Sequence, residues 1–457
     1  MPPALSDPLE FKPTPRTLAA AIAGIGELGP LGGSAVDARI RRAALRAYAS
    51  FPHERRPSRG WRYDYAALPY DDLQWSTGRA SAPVGSYNPE RRDDGAPADA
   101  PPLALEVAGG LVHSGSLYLE AQAASNPAGF KLVSLADAKR TMPERVAFVH
   151  QRIVQPGADR FSALSTAFQN CGAYVEVAEG ARLDAPLQVV WTTRPGAPSA
   201  VFPQTVVRIG AGARATIVER HIGSNDAFVA GIVEVDLAAG ARLDYVVVQQ
   251  TGEGTRMLMR RHAHCARGAS IGWHLAELGG GLVRSVTCAK LLEPGARAEA
   301  NVLFFARGFE HVDLALSLQL ARADTRSRAV VRGVAFDRAQ GRFEGSLRVA
   351  PQARGSDAAS AFDALGLSPR AFLSAASPLD VAADGVSVSN TAKVGSLARD
   401  ELFYVQSRGI ARRDAEHMIA LAFFEPAIRG FPSDALRDEV RAALDFQLDD
   451  IPDTFAS

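Results

Sequence analysis

Short apolar runs rich in β-branched residues alternate with polar or glycine-containing turns through the middle of the chain. Runs such as Val206–Ile209, Ile232–Val235 and Tyr245–Val248 are typical of strands. Gly-Ala steps recur between them at intervals of 32, 28, 28 and 27 residues, at Gly180, Gly212, Gly240, Gly268 and Gly295. A period of this length indicates a solenoid, in which each unit buries its apolar side only by stacking on the next.

Each interval holds two apolar runs and one polar turn, which predicts one coil of a two-sided parallel β-helix. Glycine suits the corner, where the backbone bends sharply. Alternation along the strand predicts that Val233, Val235 and Leu237 point into the coil. Glu234 and Asp236 then point outward.

The 28-residue spacing also predicts which residues lie side by side on neighbouring strands. Arg208, Asp236 and His264 fall in one row, and Glu234 falls beside His262. Because neighbouring strands lie about 4.8 Å apart, basic and acidic side chains in a row support each other modestly. We therefore expect a solvated outer side whose charges help to fix the register.

The sequence divides into three parts. Residues 1–100 form an N-terminal helical and irregular domain with a linker, 101–395 the β-helix core, and 396–457 a C-terminal helical domain. In the first part, Arg16–Ile25 and Val36–Ser50 have helical spacing, and Ala80–Pro102 is typical of a linker. Leu103–Leu119 is expected to form a strand pair that turns at Gly109-Gly110.

The C-terminal part predicts three helices. Arg399–Ser407 is stopped by Gly409, and Arg412–Ile428 follows; Ser433 caps the third helix. We expect these helices to cap the open end of the solenoid. Large apolar residues left exposed would mark a partner surface, although they could instead pack only on the β-helix. The residues concerned are Phe403, Tyr404 and Phe424. The stripe predicted for the second helix is Ala415, Met418, Ile419, Ala422 and Phe423, and that for the third is Leu436, Val440, Leu444 and Leu448.

Composition narrows the classes of partner. Lys and Arg together equal Asp and Glu, fifty each, so no net field attracts nucleic acid or an anionic membrane. Three cysteines without CxxC spacing are typical of a reducing compartment. No run of eighteen apolar residues and no apolar leader occur, so we expect a cytoplasmic protein that neither binds nor crosses a membrane.

Metal-capable side chains are densest at His262-x-His264-Cys265. On a strand the two histidines share one side and Cys265 points to the other, so one strand cannot present all three to one ion. We therefore expect no metal site there, and we expect Cys288 to be a small buried hydrophobic residue. The sequence contains no Walker A run, Gly-x-Ser-x-Gly elbow or His-Glu-x-x-His motif.

The segment 390–410, which contains Leu402-Phe403-Tyr404 and Ser407-Arg408-Gly409-Ile410, resembles the C-terminal signature of the SufB/SufD family. Phe51-Pro52 with Trp61-Arg62-Tyr63, and the segment 378–386, agree with that resemblance. Length and the Trp-Arg-Tyr segment favour a SufD-like member. The resemblance implies a right-handed parallel β-helix flanked by helical domains.

The resemblance also implies a function. The chain would be a non-catalytic scaffold subunit of SUF iron–sulfur cluster assembly, with no enzyme activity of its own. It would pair through its β-helix with a SufB-like or identical subunit and hold a SufC-type ATPase on its C-terminal helices. The residues so implied for the ATPase surface are Leu402, Phe403, Tyr404, Arg408, Gly409, Ile410, Met418 and Phe423.

One position departs from the family pattern. Many SufD members have Ser-His-Gly-Ala where this chain has Ser389-Asn390-Thr391-Ala392. An asparagine amide is a poor iron ligand compared with imidazole or thiolate. This departure favours a scaffold role, with no tightly bound cofactor and with a cluster present only transiently at the complex interface.

Two other functions are compatible with the sequence. One is a β-helix carbohydrate-active enzyme, a lyase or esterase, which would use the row of Arg208, Asp236 and His264. The other is a homodimeric SufB-like chain that holds a cluster itself. The sequence does not distinguish a homodimer from a heterodimer, and it does not determine whether flavin binds.

Overall fold

The computed structural model describes residues 35–51, 74–75, 107–114, 117–122, 129–192, 199–223, 226–397 and 399–449. The predicted helix at Val36–Ser50 is confirmed and spans Ala35–Ser50. The helix at Arg16–Ile25, the Trp61-Arg62-Tyr63 segment and the linker lie outside the described residues. No described helix combines the length and the apolar character needed to span a bilayer.

The described chain is dominated by strands. Helices are α1 Ala35–Ser50, α2 Leu135–Thr141, α3 Pro143–Val149, α4 Arg160–Phe168, α5 Arg399–Ser407, α6 Arg412–Ile428 and α7 Asp434–Asp449. Strands are β1 Gln74–Trp75, β2 Gly109–Ser114, β3 Leu117–Gln122, β4 Phe130–Ser134, β5 Cys171–Val177, β6 Leu187–Thr192, β7 Ser199–Val201, β8 Pro203–Ile209, β9 Arg214–Gly223, β10 Ala227–Leu237, β11 Arg242–Thr251, β12 Arg256–Cys265, β13 Ser270–Leu278, β14 Leu282–Leu291, β15 Arg297–Ala306, β16 His311–Leu320, β17 Arg326–Ala335, β18 Gln340–Val349, β19 Asp357–Gly366, β20 Phe372–Ala376, β21 Leu379–Val381 and β22 Ser387–Ser396.

Successive strands alternate between two parallel sheets, which confirms the β-helix. Sheet A runs β20-β18-β16-β14-β12-β10-β8-β5-β4, and sheet B runs β22-β19-β17-β15-β13-β11-β9-β6-β2-β3. From β8 to β20 each strand therefore pairs with the strand two positions away in sequence, as a coil requires. At the N-terminal end β4 and β3 pair antiparallel with β5 and β2. The predicted turn at Gly109-Gly110 is wrong, because these glycines are the first residues of β2, which pairs with β3.

Apolar side chains from both sheets fill the lumen in one continuous core. Val233, Val235 and Leu237 belong to it, as the alternation predicts. Burial of these side chains supplies most of the stabilisation, at about 25 cal/mol per Å² of apolar surface. A one-residue slip would turn every one of these side chains outward, so burial itself fixes the register.

The predicted rows on the outside of sheet A are confirmed. Asp236 lies opposite Arg208 on one side and His264 on the other. Glu234 lies opposite His262. The prediction of a solvated outer side is wrong at Glu234, which is buried because residues 150–154 fold over it.

The corners of the coils repeat one backbone conformation. Residues with positive φ occur at Gly180, Gly212, Gly240, Gly268 and Gly295, and then at Asp324, Gly355 and Gly385. Asp324 occupies the corner at φ 58°, which aspartate tolerates better than most residues. The corner conformation therefore continues after Gly295, and only the glycine signal is interrupted.

Helices cover both outer sides of the solenoid. Helices α1 and α4 pack together against residues such as Phe202 and Phe228 on the sheet A side. Helices α6 and α7 pack on the outer side of sheet B, against residues such as Val246 and Phe305. The predicted cap on the open end is therefore wrong, because the apolar stripes of these helices match the apolar outer side of sheet B.

Candidate functional site

The C-terminal helices leave three large apolar side chains exposed. Phe403 and Tyr404 on α5 are 72% and 61% exposed, and Met418 on α6 is 52% exposed. Arg408 donates from Nη2 to the Tyr404 hydroxyl at 3.1 Å, and its guanidinium lies 5.2 Å from the ring centroid. Gly409 has φ 85° and follows the end of α5, where the sequence predicts a stop. We call Phe403, Tyr404 and Met418 the α5–α6 surface.

Two other predicted partner residues differ from this group. Phe424 is fully buried between α6 and sheet B, so its assignment to an exposed surface is wrong. Phe423 is half-buried, with the Arg332 guanidinium 5.6 Å from its ring centroid. The side of α6 that packs differs from the predicted stripe, because Ala415 is buried but Met418 and Ala422 are exposed. The buried positions of α6 are Ala415, Ala420, Phe424, Ala427 and Ile428.

The C-terminal end of the solenoid is open in the described structure. Strand β22 is the last strand of sheet B and pairs along one edge with β19. Leu379, Val381 and Val394 are exposed there. An exposed edge strand offers its free backbone groups to another chain. We call β22 with Leu379 and Val381 the terminal-coil surface.

Asn390 lies within this last coil. Its Oδ1 accepts from the Ser377 hydroxyl at 2.6 Å, and its Nδ2 donates to the Ser377 carbonyl at 3.0 Å. It lies opposite Ser360 in the register of β19 and β22. The Asn390 amide therefore closes the coil by hydrogen bonding.

The histidine–cysteine cluster is divided as the strand alternation predicts. Cys265 lies in the lumen core, whereas His262 and His264 lie on the outer side of sheet A. The cysteine beside His262 is Cys288, which is buried. Burial lowers the pKa of His262 to about 3 and that of His264 to about 4. Among the described residues, no three His, Cys, Asp or Glu side chains are arranged to hold a metal ion.

A carboxylate outside sheet A holds a covering turn in place. Glu234 accepts backbone N–H groups from Gln151, Ile153 and Val154 at 2.7, 3.0 and 2.9 Å. Burial raises the pKa of this carboxyl to about 7, although the N–H groups act in the opposite direction. Glu234 is thus a structural link between β10 and the segment after α3.

Charged residues also occur inside the lumen, which the sequence reasoning missed. Glu219 accepts from Trp191 Nε1 at 2.8 Å and from the Tyr245 hydroxyl at 3.0 Å. Arg261 donates from Nη1 to Glu277 at 3.2 Å, and its Nε lies 3.9 Å from Glu219 Oε2. The signal was present in the alternation, because these charged residues occupy inward positions of their strands.

The lumen charges stabilise one another. Burial alone would raise the pKa of Glu219, but His221, Arg261 and Trp191 outweigh it and lower that pKa to about 2. Glu219 is therefore ionised at neutral pH. A buried ion pair of this kind is costly to break, because removing one partner leaves an uncompensated charge.

Comparison with protein families assigns the fold. Residues 191–423 match the model described as "SUF system FeS cluster assembly, SufBD core domain", and residues 104–189 match "SufBD protein N-terminal region". The core match alone covers more than half of the chain. The chain belongs to the SufBD family. The family expected from the sequence motifs is thereby confirmed.

Relatives of this SufBD-family chain include iron–sulfur cluster assembly proteins at low sequence identity. It is 22% identical over 284 residues to "Iron-sulfur cluster assembly protein SufB" of Bacillus subtilis, covering 62% of this chain and 61% of that protein. It is 24% identical over 283 residues to "Iron-sulfur cluster assembly SufBD family protein SSP1857" of Staphylococcus saprophyticus, covering 61% of each. The match thus spans 61% of the length of these relatives.

The SufBD core match includes the sites described above. Asn390, Phe403, Tyr404 and Met418 all lie within residues 191–423, as does the lumen cluster. Helix α7 lies beyond that match, although it packs with α6 on sheet B. The assignment of the predicted partner residues to an ATPase surface stays a prediction.

Proposed function

We propose that this SufBD-family chain is a non-catalytic scaffold subunit for iron–sulfur cluster assembly in the cytoplasm. The observation that carries the proposal is the presence of exposed apolar side chains at two places in the chain, the α5–α6 surface and the terminal-coil surface. Large exposed apolar patches are typical of protein interfaces. A scaffold needs two such surfaces if it is to hold two partners at once.

The α5–α6 surface is proposed to bind a SufC-type ATPase. Phe403 and Tyr404 are rigid aromatic side chains, and Arg408 lies against Tyr404. Aromatic and arginine side chains supply most of the binding energy at many interfaces. The sequence contains no Walker A run, so nucleotide hydrolysis is assigned to the partner.

The terminal-coil surface is proposed to pair with a SufB-like subunit or a second copy of this chain. Strand β22 is ten residues long and has a free edge in the described structure. An edge of this length can continue the sheet of another solenoid. Val394 and Leu379 then become buried, which adds an apolar contribution to the hydrogen bonds.

The cluster itself is proposed to be cargo that this chain holds only transiently at the interface. Cys171 and Cys265 point into the lumen core, and burial raises the pKa of Cys288, so none of the three is a ready thiolate ligand. Both ends of the Asn390 amide are bound to Ser377. We therefore assign the principal cluster ligands to the partner subunit.

The outer row of sheet A, Arg208, Asp236 and His264, gives little support to the carbohydrate-active alternative. Such an enzyme needs a pair of free carboxyl groups or an equivalent acid and base. Glu234, in the neighbouring row, is occupied by three backbone N–H groups. Within the outer row itself Asp236 lies directly opposite Arg208, and Arg208 is paired with Glu176 at 3.5 Å. This row therefore acts in holding the register, and the scaffold function is preferred.

The test is purification of the tagged chain from its own host under anaerobic conditions. We expect an ATPase with a Walker A motif to copurify, and the double variant Phe403→Ala/Tyr404→Ala to lose it with unchanged circular dichroism. Phe309→Ala is the matched control, because Phe309 is an exposed aromatic residue on the solenoid. Val394→Asp is expected to release the second solenoid subunit and retain the ATPase.

Three results would contradict the proposal. The first is equal recovery of the ATPase with the double variant and the control. The second is cleavage of polyuronate by the isolated chain, which would favour the lyase. The third is a brown, iron-containing isolated chain after reconstitution, which would favour a chain that holds the cluster itself.

A further inference from the structure

Arginines form a row along one corner of the solenoid. They lie at or just before the start of sheet B strands, directly after the corner, which is a glycine-alanine step except before Arg326, where it is Asp324-Thr325. The register places Arg214 opposite Arg182 on one side and Arg242 on the other. The row continues through Ser270 to Arg297 and Arg326 and ends at Asp357.

These five arginines are free to bind an external partner. All five are exposed. In the described part of the chain, no side-chain hydrogen bond or ion pair is formed by Arg182, Arg214, Arg242, Arg297 or Arg326. By contrast, Arg328, two residues further along β17, is paired with Asp357 at 3.4 Å. The absence of partners is therefore a property of the row and not of arginines in this region generally.

The row is unfavourable for the isolated chain. Neighbouring strands lie about 4.8 Å apart, and like charges directly opposite each other are destabilising. Arg214 has an arginine on both sides, so it makes two such contacts. An acidic partner would convert this repulsion into favourable charge-assisted hydrogen bonds.

The spacing of the row matches an α-helix. One helical turn rises about 5.4 Å, close to the strand separation of about 4.8 Å. Five strand steps from Arg182 to Arg326 span about 24 Å, which corresponds to four or five turns. The flexible arginine side chains can absorb the remaining mismatch, and their planar groups suit bidentate contacts with carboxylates.

The residues beside the row argue against nucleic acid. Glu299 is exposed two residues beyond Arg297, and Asp244, two residues beyond Arg242, is bound to His274 Nε2 at 3.0 Å. The chain has no net charge. Binding to a phosphate backbone would be opposed by these carboxylates, whereas a helix with one acidic side contacts only the narrow row.

We infer that this arginine row is a docking surface for an α-helix of a partner protein that carries Asp or Glu along one side. It lies on the solenoid corner and uses none of the residues of the α5–α6 or terminal-coil surfaces. It therefore stands independently of the scaffold function proposed above.

The experiment measures binding of a labelled helical peptide to the full-length chain by fluorescence anisotropy. The peptide has about 20 residues, with Glu aligned on one side at i, i+4 and i+7 spacing. A permuted peptide of equal composition distributes Glu around the helix, and an oligothymidylate of similar length tests the nucleic-acid alternative. Each is measured at low and at physiological salt.

Arg214→Glu separates binding from folding. We expect about tenfold weaker binding of the aligned peptide, because one attractive contact is replaced by a repulsive one. Thermal unfolding should occur at an equal or higher temperature, since the new carboxylate lies between Arg182 and Arg242. Arg42→Glu on α1 is the matched control, because Arg42 is also exposed and undergoes the same charge change.

The inference requires the aligned peptide to bind more tightly than the permuted one, with a loss in Arg214→Glu and none in Arg42→Glu. No binding of the aligned peptide overturns it, as does equal binding of both peptides. Tighter binding of the oligothymidylate, with the same loss in Arg214→Glu, also overturns it and identifies a polyanion surface.

Discussion

Asn390 and Ser377 are joined at both ends of the asparagine amide, with separations of 2.6 and 3.0 Å. The two residues lie in different segments of the last coil, so these bonds fasten strand β22 to the connection before β21. Asn390 thus serves to close the last coil of the solenoid.

Replacing Asn390 by Ala should destabilise the terminal coil. Two partly buried hydrogen bonds are lost, which corresponds to about 1–2 kcal/mol in the free energy of unfolding. Urea unfolding measures the change. Ser389→Ala is the control, because Ser389 is exposed on the opposite side of the same strand. Equal midpoints for the two variants would show that the contacts with Ser377 contribute nothing.

Phe403→Ala and Phe424→Ala should differ sharply in stability. Phe403 is largely exposed, so its loss should leave the free energy of unfolding within about 0.5 kcal/mol of the original. Phe424 is fully buried against sheet B, and its truncation should cost about 3–5 kcal/mol. Thermal or urea unfolding of both variants checks this. A similar loss in both would contradict the packing of α6 described here.

The Glu234 carboxyl should make stability depend on pH in a defined direction. Its pKa is raised from 4.5 to about 7 in the folded chain. The stability that the protonated carboxyl contributes is fully present below pH 4.5 and is lost as the pH rises through 7. Glu234→Gln removes the titrating group. The free energy of unfolding of the original chain minus that of the variant should therefore be more positive at pH 5.5 than at pH 8, by about 2 kcal/mol.

His262 and His264 oppose that trend, which is why the comparison uses a variant. Their pKa values are lowered to about 3 and about 4, so stability is lost as the pH falls below the ordinary histidine range. Both histidines are present in the original chain and in Glu234→Gln, so their effect cancels in the difference. A difference that is the same at both pH values would refute the assignment to Glu234.

Arg261→Met should be strongly destabilising. It removes the guanidinium that pairs with Glu277 and lies beside Glu219 in the lumen, which corresponds to about 3–5 kcal/mol. Adding Glu277→Leu should recover part of this loss. The control Arg348→Met breaks an exposed pair with Asp380 and should cost less than about 1 kcal/mol. Urea unfolding of the single and double variants measures each loss in the free energy of unfolding. Equal losses for Arg261→Met and Arg348→Met would contradict the buried network.

Local sequence alone determined the repeating part of this fold. Corner glycines, alternating strands and helix-stop signals act on the backbone within a few residues, so they fixed the side to which Val233 points, the row of Arg208, Asp236 and His264, and the bounds of α6. The glycine period failed at Asp324, because aspartate also adopts the left-handed corner conformation.

Tertiary structure decided what covers each surface. Whether Phe424 is exposed, whether Glu234 is solvated, and whether Arg261 meets Glu219 all depend on segments that are distant in sequence. The C-terminal helices pack on the outer side of sheet B, and not on the open end of the solenoid, where they bury apolar residues such as Val246 and Phe305. No local pattern contains that choice, since alternation states only which way a side chain points.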